Sequence, residues 1–155
     1  MQIFIIIFLT NIYIICKVHN IIDANVSSLH PLILNGYLLI YSDKKLCIAQ
    51  IISMYEKRGE RHAWVNKEVE FLDHLSYLSV NLYLNVYNNL WTNTCETGGK
   101  LICHISAKEV LYYFNLPPFI NSQSSFFTLT REALEIFQHF KTPEMLSSLT
   151  KIFPK

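Results

Sequence analysis

Glycine is scarce in this chain: there are four among 155 residues, and only Gly98 and Gly99 are adjacent. A loop that binds phosphate through its backbone needs several glycines and leads into a helix, whereas TGGK at 97–100 precedes a strand-like run. Charge is also scarce, at 16% of residues with a formal net charge of +1. No global field therefore attracts nucleic acid, and any such contact must come from a local patch.

The chain lacks the motifs of a catalytic or metal site. Its cysteines, Cys16, Cys47, Cys95 and Cys103, are too far apart for a CxxC zinc pair, and no G-x-S-x-G nucleophile motif is present. We therefore predict no catalytic residue, no metal and no cofactor, and a protein that is not an enzyme. Cys95 and Cys103 could close a hairpin in an oxidising compartment, but the sparse cysteines favour free thiols.

Apolar residues are abundant, at 51%, and they concentrate near the start. Residues 1–42 contain only two charged side chains, Lys17 and Asp23, and the composition changes near residue 32. We therefore divide the chain into an apolar N-terminal segment, 1–31, and a single globular domain, 32–155.

The role of the N-terminal segment has three open interpretations. The run Ile3–Cys16 is shorter than the roughly 20 apolar residues of a spanning helix, and no basic residue precedes it as in a secretory signal. It can still be a signal or membrane anchor, an extension foreign to the natural protein, or a strand of the domain. A signal or anchor in residues 3–16 predicts a secreted or membrane location, and its absence predicts a nuclear or cytoplasmic one.

From residue 37 the pattern is that of β-structure. Alternation in LSVNLYLNV, residues 78–86, predicts a half-buried strand with Leu78, Val80, Leu82, Leu84 and Val86 toward the core. Shorter apolar runs separated by polar turns predict further strands at 37–42, 46–56, 62–65 and 101–105.

Helical signals appear after residue 105. Ser106 and Glu109 form a capping-box pattern before apolar residues at helical spacing, which predicts a short helix that starts after Ser106 and ends at Leu116-Pro117-Pro118. Thr130 and Thr142 are predicted to cap two further helices. The fold class is therefore α+β: a small bent antiparallel sheet, forming a partly open, SH3-like barrel, with a short helix after the last strand and two C-terminal helices.

The turn KRGER at 57–61 gives the best candidate for a binding site. Three cations lie there beside two large rings, which offers charge-assisted contacts and stacking area to a partner. The competing interpretation is a solvated hairpin tip, because Glu56 and Glu60 offset most of the positive charge. The candidate binding residues are Tyr55, Lys57, Arg58, Arg61 and Trp64.

The stretch LCIAQIISMYEKRGERHAWV, residues 46–65, resembles the opening hairpin of bromo-adjacent homology and Tudor-like barrels. That resemblance covers about residues 36–105 and implies a module that binds chromatin or a histone tail. Residues 37–140 also resemble a family of proteins from mushroom-forming fungi that are often encoded near mobile elements, and this likeness implies no activity.

We therefore predict a non-enzymatic interaction module, specifically a chromatin-type reader. Its expected partner is a protein, with a histone tail as the specific candidate. Nucleic acid could bind through the local basic turn, and a membrane could bind residues 3–16. The alternative is a secreted or membrane-tethered protein addressed by its apolar N-terminus. The sequence predicts no oligomeric state.

Overall fold

A computed structural model describes residues 24–120 and 125–154, and within them nine β-strands form one antiparallel sheet followed by two α-helices. The strand order is β7-β1-β2-β4-β5-β9-β8, while β3 pairs with β2 and β6 pairs with β4. The strands are β1 (Tyr37–Ser42), β2 (Lys45–Arg58), β3 (Arg61–Val65), β4 (Leu75–Tyr87), β5 (Leu90–Thr92), β6 (Ile102–Ser106), β7 (Val110–Phe114), β8 (Phe119–Ile120) and β9 (Phe126–Leu129). The helices are α1 (Arg131–Phe140) and α2 (Pro143–Ile152).

Strand β2 holds the sheet together, because its 14 residues pair with three neighbours. The first half of β2 pairs with β1, the second half with β3, and most of its length with β4. The register between β2 and β4 shifts at Ile51/Ser53 and at Tyr55/Glu56. Bulges of this kind bend a strand and increase its twist, and the sheet accordingly curls into a half-barrel. The predicted α+β class is confirmed in its broad form, although the fold is mostly sheet.

The two faces of the sheet pack against different partners. We call one the core face; it carries Leu38, Ala49, Ile51, Leu78 and Val80, which pack with residues 24–32 and with β6. We call the other the helix face; its residues Leu39, Ile48, Tyr83 and Trp91 pack against α1 and α2. The predicted register of β4 is confirmed for Leu78 and Val80, which are fully buried, and Leu82 and Leu84 also pack on this core. Val86 is exposed, because β4 extends past the core there.

Both C-terminal helices begin where the sequence predicts. The Thr130 hydroxyl accepts a hydrogen bond from the Ala133 N–H at 3.3 Å, which caps α1. Thr142 precedes α2 and Pro143 is its first residue. No helix within residues 24–120 and 125–154 is long and apolar enough to cross a membrane.

The helix predicted between Ser106 and Leu116 is wrong. The capping box of Ser106 and Glu109 is formed, but it closes only a 3₁₀ turn over Ala107–Glu109, and β7 follows at once. Residues 110–114 are VLYYF, a β-branched and aromatic run that suits a strand, and they pair with β1 from Tyr37↔Phe114 to Ile40↔Val110. The gain from pairing a sheet edge therefore overrides the local helical spacing.

Residues 24–31 pack against the domain, although they precede the boundary predicted before residue 32. Ala24 and Val26 are buried, and the Asn25 side chain bonds twice to the backbone of Tyr113. The boundary itself stays a prediction, and the apolar run of residues 3–16 lies outside the described residues.

Candidate interaction face

The hairpin that carries the candidate residues is formed as the sequence predicts. Strands β2 and β3 pair from Met54↔Val65 to Arg58↔Arg61. Only Gly59 and Glu60 remain for the turn, and Gly59 adopts φ +62°, a conformation that favours glycine.

The five candidate residues divide between the two sides of this hairpin. Residues paired directly across strands share a side, so Tyr55 lies beside Trp64, and Lys57 lies on that side too. Arg58 and Arg61 are opposite each other and on the other side. The structure therefore brings together Tyr55, Lys57 and Trp64 but not the three cations.

Three further rings join Tyr55 and Trp64 on the helix face. Tyr77 pairs with Tyr55 across β2 and β4, and their rings stack at 4.4 Å with an interplanar angle of 16°. His62 and His104 meet the Tyr77 ring edge-on, at 5.1 and 5.5 Å between centroids. We call this set the ring face; it comprises Tyr55, His62, Trp64, Tyr77 and His104.

The ring face is open because the helices cover only the other end of the same sheet face. Their packing reaches Tyr83 on β4, and Tyr77 lies six positions earlier on the same side of that strand. Trp64 is 59% exposed, Ile102 beside the ring face is also 59% exposed, and both histidines are exposed. An exposed tryptophan amid other rings is a common feature of protein interaction sites.

Polar side chains fix parts of the ring face in place. The Ser53 hydroxyl donates to the Tyr55 hydroxyl at 3.2 Å, and Ser79 Oγ lies 2.8 Å from His104 Nδ1 in a hydrogen bond. Ser79 is buried beneath the exposed imidazole. These contacts restrain Tyr55 and His104, which lowers the entropy that each ring loses when a partner binds.

Asn81 lies at the border between the covered and the open ends. Asn81 lies on the same side of β4 as Ser79 and Tyr83, and it is only 5% exposed. Its Oδ1 has no hydrogen-bond partner in the part of the chain that the structure describes. A buried acceptor without a partner destabilises a fold, so Asn81 is a weak point at the edge of the ring face.

The geometry of the rings limits the kind of ligand that they can bind. The stacked Tyr55 and Tyr77 rings leave no space between them for an ammonium group, so this pair cannot enclose a cation. An incoming planar or apolar group can instead lie on the exposed ring surfaces.

The charges near the turn are few and partly neutralised. Arg58 forms an ion pair with Glu56 on its own strand, on the side away from the ring face. Lys57 and Arg61 form no ion pair with any residue that the structure describes. Lys57 is therefore the candidate cation that lies beside the rings with its charge available to a partner.

The described cysteines differ in the pKa of their thiols. Burial raises the pKa of the Cys47 thiol to about 11, and burial also raises the pKa of Cys103. A hydrogen bond with Thr97, 2.9 Å between Sγ and Oγ1, lowers the pKa of Cys95. All three are free thiols, and no group of three His, Cys, Asp or Glu side chains in residues 24–120 and 125–154 could hold a metal ion.

Sequence reasoning missed His62, Tyr77 and His104. Tyr77 directly precedes the alternating run in β4, so its side of the strand could have been read from the sequence. The pairing that places Tyr77 against Tyr55 depends on the register of β2 and β4, which includes two shifts that no local pattern specifies.

Comparisons of the chain with protein-family models, with curated proteins and with solved structures find no match.

Proposed function

We propose that the protein is a non-enzymatic interaction module of the chromatin-reader kind, and that it binds its partner through the ring face. The observation that supports this proposal is that the helices cover only one end of the helix face. Helices bury one end of it, while five rings, including the exposed Trp64, remain open at the other.

The partner that suits this surface is a protein, with a histone tail as the specific candidate. A nucleic acid is held mainly by several cations that contact its phosphates, whereas Lys57 is a single lysine beside the ring face. Rings with restrained positions suit the side chains and backbone of a peptide, for which tyrosine and tryptophan give large contact areas. Nucleic acid, bound through Lys57 and the basic turn, is the second candidate.

The same proposal includes the finer architecture. We take the curled sheet to be an SH3-like barrel that is left partly open, as the resemblance to bromo-adjacent homology and Tudor-like barrels implies. Two features of β2 support a barrel: the strand pairs with β1, β3 and β4 along its length, and its pairing with β4 has two register shifts. Bulged strands of this kind let a small sheet curve toward closure.

The test compares variants on the two sides of the hairpin. Trp64→Ala and Lys57→Ser change the ring-face side, and Arg61→Ser is the matched control, because it removes the same charge from the other side of the same hairpin. Binding to reconstituted nucleosomes and to a histone-tail peptide is measured at two salt concentrations, with melting temperatures as the folding check.

We expect Trp64→Ala to weaken binding by about 30-fold, the effect of losing about 2 kcal/mol at a central aromatic contact. On nucleosomes, whose DNA phosphates can contact a cation, Lys57→Ser should weaken binding more than Arg61→Ser does, and the difference should shrink at high salt. Equal effects of Lys57→Ser and Arg61→Ser, with no effect of Trp64→Ala, would show that the ring face is not the binding site.

A further inference from the structure

A second surface lies on the opposite end of the helix face, between α1 and the edge strand β7. It is an open groove of about 410 Å³. Ile136 and Phe140 from α1 and Tyr112 from β7 contribute its apolar lining, and Glu132, Glu135 and His139 contribute polar groups.

The lining combines an apolar floor with a negative rim because of helical spacing. Residues three or four apart lie on one side of a helix. Glu132, Glu135, Ile136 and His139 therefore all lie on the side of α1 that lines the groove. Phe140 is buried and Ile136 half-buried, whereas both glutamates are exposed. The carboxylates therefore stand at the solvent side of an apolar channel.

The two carboxylates are not equivalent. Glu135 Oε1 accepts from Arg131 Nε at 3.1 Å, so part of its charge is already paired. Glu132 forms no ion pair with any residue in the described ranges 24–120 and 125–154. The rim thus carries a net negative charge, and that charge lies next to aromatic and aliphatic surface.

From this arrangement we propose that the groove binds a basic segment of a partner protein by accepting a lysine side chain. The four-carbon stem of lysine can lie on Ile136 and Phe140 while its ammonium group reaches the Glu132 carboxylate. A free small amine is a poorer fit, since an open groove leaves most of a small ligand in water. This site is separate from the ring face and does not depend on the function proposed for it.

The test uses the full chain and a defined probe, a fluorescein-labelled peptide of alternating glycine and lysine. Glu132→Gln with Glu135→Gln removes the two rim charges while keeping side-chain size. The matched control is Glu96→Gln with Glu144→Gln, which removes the same charge from exposed sites in the 93–100 loop and in α2. Amide chemical shifts of ¹⁵N-labelled protein identify the residues that the peptide contacts.

We expect the rim variant to bind the peptide about tenfold more weakly, since the contact between the lysine ammonium and Glu132 and the nearby charge of Glu135 are lost, and the control variant to bind almost as the wild type does. Shifts should concentrate on α1 and β7, and pentylamine should produce much weaker shifts there. Equal weakening in both variants, shifts located elsewhere, or pentylamine binding as tightly as the peptide would overturn the proposal.

Discussion

Asn25 joins residues 24–31 to the outer edge of β7, and its replacement gives a quantitative test of the fold. Its Nδ2 donates to the Tyr113 carbonyl at 2.9 Å, and its Oδ1 accepts from the Tyr113 N–H at 2.9 Å. The side chain therefore pairs the edge of β7 as another strand would, which protects that edge from pairing with other chains.

The expected cost of Asn25→Ala has two parts. The bond from Asn25 Nδ2 is worth about 1 kcal/mol, and the bond from the Tyr113 N–H is worth less, because that N–H also donates to the Ala24 carbonyl at 3.0 Å. Asn25 also has φ +58°, and an alanine in that conformation costs about 1 kcal/mol more. We therefore expect a loss of about 2 to 3 kcal/mol in the free energy of unfolding, measured by urea denaturation.

Two variants separate these contributions. Asn25→Gly removes the hydrogen bonds but tolerates positive φ, so it should cost less than Asn25→Ala. Ser27→Ala is the control, because it changes an exposed neighbouring side chain without touching either bond, and it should leave stability nearly unchanged. A chain that starts at Leu32 should likewise melt below one that starts at Ala24. If Asn25→Ala unfolds at the wild-type urea concentration, residues 24–31 are not part of the folded unit.

Three further predictions concern buried and reactive groups. Asn81→Leu removes a buried acceptor without a partner and should raise the free energy of unfolding by about 1 kcal/mol. Asn81→Asp buries a charge and should lower the free energy of unfolding by several kcal/mol. A loss of stability in Asn81→Leu would contradict this prediction. Iodoacetamide at pH 8 should label Cys95 well before Cys47, as followed by peptide mass spectrometry, because the Cys95 pKa is lowered and the Cys47 pKa is raised; equal rates would refute it. Burial raises the pKa of Cys47 to about 11 and that of Tyr37 to about 12, so both groups keep their protons in the folded chain at pH values where the unfolded chain loses them. The free energy of unfolding should therefore fall as the pH rises from about 9 to 12. Cys47→Ala should make this fall less steep at the lower end of that pH range.

Much of the sheet could be predicted because its signals are local. The alternation in β4 identifies Leu78 and Val80 as core residues, and Gly59 marks the hairpin turn. The threonines before α1 and α2 likewise mark their starts. These features depend on neighbouring residues alone.

The errors arise where distant strands compete with local signals. Glu109 completes its capping box, but it also accepts a hydrogen bond from Ser42 at the end of β1, which holds the 3₁₀ turn next to the sheet. Continuation as a helix would leave the outer edge of β1 without the partner that β7 provides. No pattern within residues 106–114 contains that information.

The candidate site shows the same division between local and long-range signals. A turn with three cations is visible in the sequence, but alternation along β2 and β3 places Lys57 on one side of the hairpin and Arg58 and Arg61 on the other. The resulting surface consists mainly of aromatic side chains, with a single candidate cation, Lys57, beside them.

Acrylamide quenching of tryptophan fluorescence tests the central proposal most directly. Trp64 is 59% exposed and Trp91 is fully buried, so the quenchable emission comes from Trp64. If the ring face binds the partner, saturation with a histone-tail peptide should shift this emission to shorter wavelength and sharply reduce its quenching. A peptide that saturates the protein while Trp64 stays fully quenchable would contradict the account.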